Sequence, residues 1–255
     1  MEDNGLLVTN IGWSPRGWQG FDDEMFKNRN LYQFDYIVNT GFGHELWNFY
    51  EHFRKNVYFG HIESNPQKFT AGTVLFVSKY IDPRDPAPGR SRFYFVGVYG
   101  HALYDPQGFR TGVRVIDLLP EEAVNNIKKI VETGNWRGNN PTKHINYLKS
   151  ILEGEEYTAR LVASKKYSTV LLPIQYNGYV ELDPQDICVK DFREWKITYK
   201  ITPEKAIRLI DIAIFRHERI INNELEITPP KHIRKKAIEV VSKLKRIKKI
   251  IEASV

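Results

Sequence analysis

The chain has 255 residues, enough to bury a full core as one large domain or two smaller ones. Its 42% hydrophobic and 27% charged residues suit an ordinary globular protein, its 13% aromatics are high, and no apolar run of about 18 residues offers a membrane span. The single Cys188 excludes an internal disulfide framework and a multi-cysteine zinc site, and reads as a small apolar residue. The formal charge of +6 is unevenly placed. Residues 231–255 hold nine Lys or Arg against Glu239 and Glu252, a net +7, which leaves residues 1–230 at −1. Attraction of the body to a polyanion must therefore come from local patches. The start, MEDNGLLVTN, has no signal-peptide core, so a cytoplasmic location is expected.

LLVTNIGW (6–13) reads as a first strand, followed by an irregular, glycine-rich stretch with Trp13 and Trp18 at its edges. FDYIVNTG (34–41) reads as a second strand. HELWNFYEHFR (44–54) has Leu46, Trp47, Tyr50 and Phe53 at helical spacing, which predicts a short amphipathic helix. VYFGHIE follows as a strand. TVLFVSKYI and RFYFVGVYGHALY, within 73–104, are strongly β-prone and are joined by DPRDPAPGRS, so they predict a long hairpin with a wide, stiff loop. In its second arm Phe93, Phe95 and Tyr99 alternate with Tyr94, Val96 and Val98, which predicts one set facing in and the other out.

From Leu119 the pattern becomes helical. Pro120-Glu121-Glu122 starts one helix and Gly134 stops it. Pro141 opens a second and Gly154 stops that one. Residues 119–153 thus read as a helical hairpin inserted between strands. Strands resume over 156–182, with Asn177-Gly178 as a hairpin turn, and WKITYKI (195–201) adds another. Thr202-Pro203-Glu204 caps a helix to about Ile221. The last helix, 231–252, sets Ile233, Ala237, Val240, Leu244, Ile247 and Ile251 on one stripe. The class is α+β: a curved, mostly antiparallel sheet or small barrel with flanking helices and a helical-hairpin insertion.

Catalytic constellations are weak. His44 and His52 lack the spacing that puts two metal ligands on one helical face. Gly41-Phe42-Gly43 lacks the third glycine of a dinucleotide turn, and no P-loop occurs. Asp22-Asp23-Glu24 and Glu155-Glu156 read as solvated acids, and Ser164-Lys165-Lys166 as a surface strand end. The aromatics remain. Trp13 and Trp18, in a small and polar loop, suit a clamp that stacks a base, with Asn10 or Asn39 to read its edge. Tyr36, Trp47 and Tyr99 join them as candidate base-binding residues. Arg90, Arg92, Lys165 and Lys166 are the candidate phosphate-binding residues. No catalytic residue, metal or cofactor is expected.

The order strand, aromatic loop, HELWNFYEHFR, AGTVLFVSKY, FYFVGVYGHA resembles PUA-like domains. AGTVLFV is similar to the GD-x-hydrophobic strand of EVE and YTH relatives, with Thr73 where those have Asp. FVGVYGHA is similar to their following strand, and SKKYSTVLLPI and VELDPQDICV to later strands of archaeal members. The resemblance covers about residues 6 to 200. It implies a PUA-like domain over 1–202, a packing helix over 203–228 and a basic helix or linker over 229–255. It also implies a reader of modified or flipped bases in DNA rather than RNA, without activity of its own. A reader followed by a helical linker resembles the N-terminal specificity domain of archaeal McrB proteins, GTP-driven subunits of modification-dependent restriction systems. That setting implies a motor domain or subunit as partner through the C-terminal region. Two alternatives stand beside it: a PUA-like RNA-binding protein in RNA modification or translation, and a nucleotide-handling enzyme with His61 and His101 as acid and base.

Overall fold

The computed structural model describes residues 5–31, 35–66, 68–80, 92–182, 198–226 and 228–254. Its centre is an open, mixed sheet of eight strands. The strands are β1 (Gly5–Ile11), β2 (Val57–Gly60), β3 (Ala71–Lys79), β4 (Phe93–Arg114), β5 (Glu156–Ser164), β6 (Ser168–Val170), β7 (Val180–Leu182) and β8 (Thr198–Lys200). They run in the order β2-β5-β4-β3-β1-β8, with β6 and β7 also on β4. Every pairing is antiparallel except β1 with β3, where Leu6 faces Thr73 and Asn10 faces Val77. That parallel pair is drawn close at Gly72, whose φ is 149°. A Cβ there would lie 1.8 Å from the Gly5 carbonyl oxygen, so only glycine fits.

β4 organises the molecule. Its first half, Phe93 to Gly100, is buried throughout, so the expected division into inward and outward sets does not hold. β3 lies along one edge and β6 and β7 along the other. One face carries Gly97 and Tyr99 against Phe49, and the other carries Gly100 under Ile247 of the last helix. A strand covered on both faces reads as a continuous apolar run, which the sequence FYFVGVYG is. The second half bends through register shifts, between Tyr104 and Phe109 and again between Arg110 and Arg114, to pair with β5.

Six α-helices flank the sheet among the described residues. They are α1 (Asp23–Lys27), α2 (Asp35–Thr40), α3 (Glu121–Thr133), α4 (Pro141–Leu152), α5 (Pro203–Ile221) and α6 (Lys231–Glu252). The helical hairpin between β4 and β5 is present as expected. α3 ends on Gly134 in the left-handed conformation and α4 begins with Pro141. Two expectations fail in the β1–β2 connection. DYIVNT is helix α2, not a strand: Gly41 N–H donates to the Ile37 carbonyl and the Thr40 hydroxyl to Tyr36, so local bonds replace sheet partners. HELWNFYEHFR forms only a 3-10 turn over His44–Trp47 and then irregular turns. Its aromatics fall into two cores instead of one stripe, Phe49 under β4 and Trp47 and Phe53 under the helical hairpin.

Asn177-Gly178 also departs from expectation. Asn177 ends a short 3-10 turn in the left-handed conformation, and β6 and β7 each pair with β4 rather than with each other. α6, expected as a basic helix or linker, packs into the body of the fold. Val240, Val241, Leu244, Ile247 and Ile251 belong to the main core with β1, β3 and β4. Lys245 and Lys248 pair with Glu218 and Asp211 of α5, each at 2.8 Å. The proline-rich hairpin loop, Arg90, Cys188 and Trp195 to Ile197 lie outside the described residues.

Candidate functional site

The tryptophan clamp does not exist as an open wall. Trp18 is completely buried and Trp13 nearly so. β1 ends at Ile11, and the chain turns back at once. Trp18 N–H donates to Ser14 Oγ at 3.0 Å, and its indole Nε1 donates to the Gly12 carbonyl at 2.8 Å. The left-handed Trp18, with φ of 59°, aims its ring inward, edge-on to Trp13 at 6.0 Å. Tyr80 and Tyr179 close the group around Trp13 at 4.8 and 5.9 Å. A loop rich in small residues is thus a tight wrap around its own indoles, and the two rings belong to the main core.

Tyr99 is also core, packed on Phe49, Tyr58 and Phe76. Asn10 is buried on β1. Asn39 cannot read a base edge in this arrangement. Its Nδ2 donates to the Arg137 carbonyl at 2.7 Å and its Oδ1 accepts from Arg137 N–H at 3.0 Å, so both ends pin the NWRGNN loop to α2.

Tyr36 and Trp47 belong to one closely packed aromatic cluster, joined through Phe42, between the β1–β2 connection and the helical hairpin. His44 is its centre. Its ring stacks on Tyr157 at 5.5 Å and lies 5.2 Å from His61, 5.6 Å from Tyr147 and 6.2 Å from Trp47. Tyr36 lies 6.4 Å from Tyr147 and 5.9 Å from Trp136, and Trp136 stacks on His144 at 4.5 Å. The positions are built in by local bonds. Tyr147 OH lies 2.8 Å from His44 Nε2, and Tyr157 OH donates to the His44 carbonyl at 3.0 Å. Asn48 holds the His61 backbone at both ends, accepting from its N–H at 2.7 Å and donating to its carbonyl at 3.0 Å. Glu63 stands 3.7 Å from His61 Nε2, and Arg160 holds the Ile62 and Glu63 carbonyls at 3.2 Å.

Four side-chain atoms in this cluster are buried yet have no protein partner: Tyr36 OH, His44 Nδ1, His61 Nδ1 and Trp136 Nε1. A buried polar atom without a partner costs about 1–3 kcal/mol, so four in one aromatic cluster are a concentration of unmet hydrogen-bonding capacity. The electrostatics specify its kind. Burial, aided by His61, lowers the His44 pKa to about 3, so that ring is neutral at ordinary pH. Burial raises the phenols of Tyr36, Tyr147 and Tyr157. Tyr36 therefore offers an O–H and His44 the Nδ1 of a neutral imidazole between aromatic rings, while the Tyr147 and Tyr157 hydroxyls are engaged with His44. Such a surface suits a neutral, planar, hydrogen-bonding ligand and disfavours a phosphate.

His61 and His101 are not partners. His61 meets His44, whereas His101 lies on β4 against Tyr167. The phosphate candidates scatter as well. Lys165 Nζ donates to the Glu51 and Arg54 carbonyls at 2.6 and 2.7 Å, ending the turn that follows Trp47. Arg92 stands at the β7 end of β4, beside Tyr94. Lys166 is exposed near Tyr167. Sequence reasoning missed Trp136, His144, Tyr147 and Tyr157 as site residues. His144 and Tyr147, three apart on α4, were the available signal, since they put polar rings beside an apolar helical face.

Among the described residues no group of three His, Cys, Asp or Glu is placed to hold a metal, and no helix is long and apolar enough to cross a membrane. Fold and site together define an α+β protein with an open mixed sheet and a buried aromatic cluster. Compared with known proteins, the chain matches no family model, no curated protein and no solved structure.

Proposed function

We propose that this chain is a nucleic-acid-binding module of PUA-like type that takes a modified or flipped DNA base at the His44–Tyr36–Trp136 cluster. The observation that carries this reading is the set of four buried, unpartnered polar atoms between aromatic rings. Donors and acceptors at fixed positions read a base edge, and stacked rings hold its faces. Tyr36 and Trp47 keep the roles expected for them, while His44, His61, Trp136 and Tyr147 take the place of Trp13, Trp18, Asn39 and Tyr99. Arg137 and Lys143, both exposed and one on each side of the Asn140 cap that precedes α4, are the nearest basic side chains in sequence for the flanking phosphates. A role as specificity part of a modification-dependent restriction system follows from the resemblance and belongs to the same proposal.

The cluster favours a reader over the nucleotide-handling enzyme. That alternative needs His61 and His101 together as acid and base, whereas His61 meets His44 and His101 lies against Tyr167. The test is equilibrium binding of the full chain, at stated salt, to otherwise identical duplexes carrying cytosine, 5-methylcytosine, 5-hydroxymethylcytosine, adenine or N6-methyladenine. Single-stranded RNA is the comparison. One modified duplex should bind at least tenfold tighter than its unmodified partner. Equal affinity for every duplex would refute base reading, and tight binding to RNA alone would move the function to an RNA-binding protein.

A further inference from the structure

A second feature lies on the other side of β4 from Phe49, where α6 crosses it. β3 and β4 lose register between Gly72–Ala102 and Val74–Tyr99, so Gly100 and His101 together oppose the single Thr73. Two residues facing one is a β-bulge, which turns a side chain out of its normal alternation. His101 adopts φ of 51°, in the left-handed region where a non-glycine residue is strained, and its side chain is exposed. Strain of this kind persists where the surrounding fold enforces it, and it clusters at functional positions.

The bulge aims His101 into an open groove of about 560 Å³ between the β4–β6 region and the end of α6. Lys166, Arg246 and Lys249 line it, with Tyr167 as floor and Ser254 at the rim. Arg246 and Lys249 are three apart on α6, so they share a face with Cβ atoms about 5–6 Å apart. Neighbouring cations are neutralised: Lys245 pairs with Glu218 and Lys248 with Asp211. Among the described residues no carboxylate lies within ion-pair distance of Lys166, Arg246 or Lys249, and none lines the groove. Lys166 sits over the Tyr167 ring, 5.0 Å from its centroid, which holds its ammonium at the groove.

We propose that this groove is a phosphate-chain-binding site, formed by His101, Lys166, Arg246 and Lys249, that grips a nucleic-acid backbone. The proposal rests on the base-reading function for its natural occupant, and on the groove alone for its chemistry. The carbonyl end of α6 opposes an anion here by about 0.3–1 kcal/mol, a small effect beside three full cations. The site also explains where the positive charge of the last helix acts, since its apolar stripe is committed to the core.

The test compares the full chain with the triple variant Lys166→Gln, Arg246→Gln, Lys249→Gln, all exposed positions whose change leaves the core intact. Two probes are titrated at several salt concentrations: unmodified duplex DNA and inorganic tripolyphosphate. Each lost phosphate contact should flatten the log–log salt slope on duplex DNA by about 0.9, so the variant should lose about 2–3 units of slope and roughly tenfold or more in affinity at 0.1 M salt. Any preference among modified duplexes should survive. DNA binding with an unchanged slope in the variant overturns the groove and leaves base reading standing. Tripolyphosphate bound by the parent chain and lost in the variant, with no DNA bound, keeps the groove and overturns the nucleic-acid reading. Failure of the parent chain to bind either probe overturns the groove.

Discussion

Trp18 shows how one residue's surroundings reverse its expected role. In sequence it sits among glycines, serine and glutamine, which suggests an exposed ring. In the fold its indole N–H is bonded to Gly12 and its ring is fully enclosed. Trp18→Ala should therefore cost about 3–5 kcal/mol of stability, the usual result of emptying a large aromatic site, measured by denaturant unfolding. A variant as stable as the parent chain but impaired in base binding would contradict this placement. Two buried histidines make a further prediction at this scale. His217 accepts from Leu172 N–H through Nε2 at 3.0 Å, and its Nδ1 lies 2.7 Å from the Ala213 carbonyl, an arrangement that requires the neutral ring. Burial lowers its pKa to about 4, and that of His44 to about 3, against an ordinary value of 6.5. Below about pH 6.5 the unfolded chain takes up protons that the native rings refuse. The stability they contribute is complete above that pH and is lost progressively as pH falls from about 6.5 to the native values, about 4 and about 3. At pH 5 the loss is on the order of 2 kcal/mol per histidine. Unfolding free energies at pH 7 and pH 5 should differ accordingly, and the difference should shrink in His44→Gln with His217→Gln. Equal pH dependence in parent and double variant would rule out these two rings as its source.

At the scale of elements, α6 carries the clearest consequence. Its five larger buried apolar side chains are each worth about 1.5–3 kcal/mol of burial, a sum comparable to the whole net stability of a domain. Deleting residues 231–255 should abolish the cooperative thermal transition or cause aggregation. A truncated chain that melts like the parent would show that α6 is dispensable. The helix itself was legible, over the same residues, because its stripe has a clean 3.6-residue period. Its attachment was not, because an apolar stripe says that a face is covered but not by what. The strands β1, β3 and β4 and the hairpin α3–α4 were legible for the same reason, strong local pattern. α2 and the 3-10 turn at His44 were not. There, short apolar segments are folded by contacts with α1, α3 and β5, and period alone cannot separate a short helix from a strand. The cluster was half legible. Tyr36 and Trp47 stood out as aromatics, but Trp136, Tyr147 and Tyr157 lie at least 89 residues further along and meet them only through the sheet's β4–β5 connection.

At the scale of the whole molecule, two different surfaces lie on one sheet. On the proposed function, the aromatic cluster under the helical hairpin selects a base and the cationic groove against α6 holds the backbone. Selection by buried hydrogen bonds needs no net charge, while backbone contact needs only a few local cations, and α6 carries the chain's excess positive charge. The cluster's unpartnered polar atoms are proposed to serve a ligand, and Tyr36→Phe isolates that role by removing one hydroxyl and nothing else. Because that hydroxyl has no protein partner, its loss should leave the free protein equally stable or more stable by thermal unfolding. The same variant should bind the preferred modified duplex more weakly by about 1–3 kcal/mol, with the salt slope unchanged. Weaker binding with unreduced stability is the predicted result. Unchanged affinity for every duplex, or a loss of stability that accounts for weaker binding, would contradict the account.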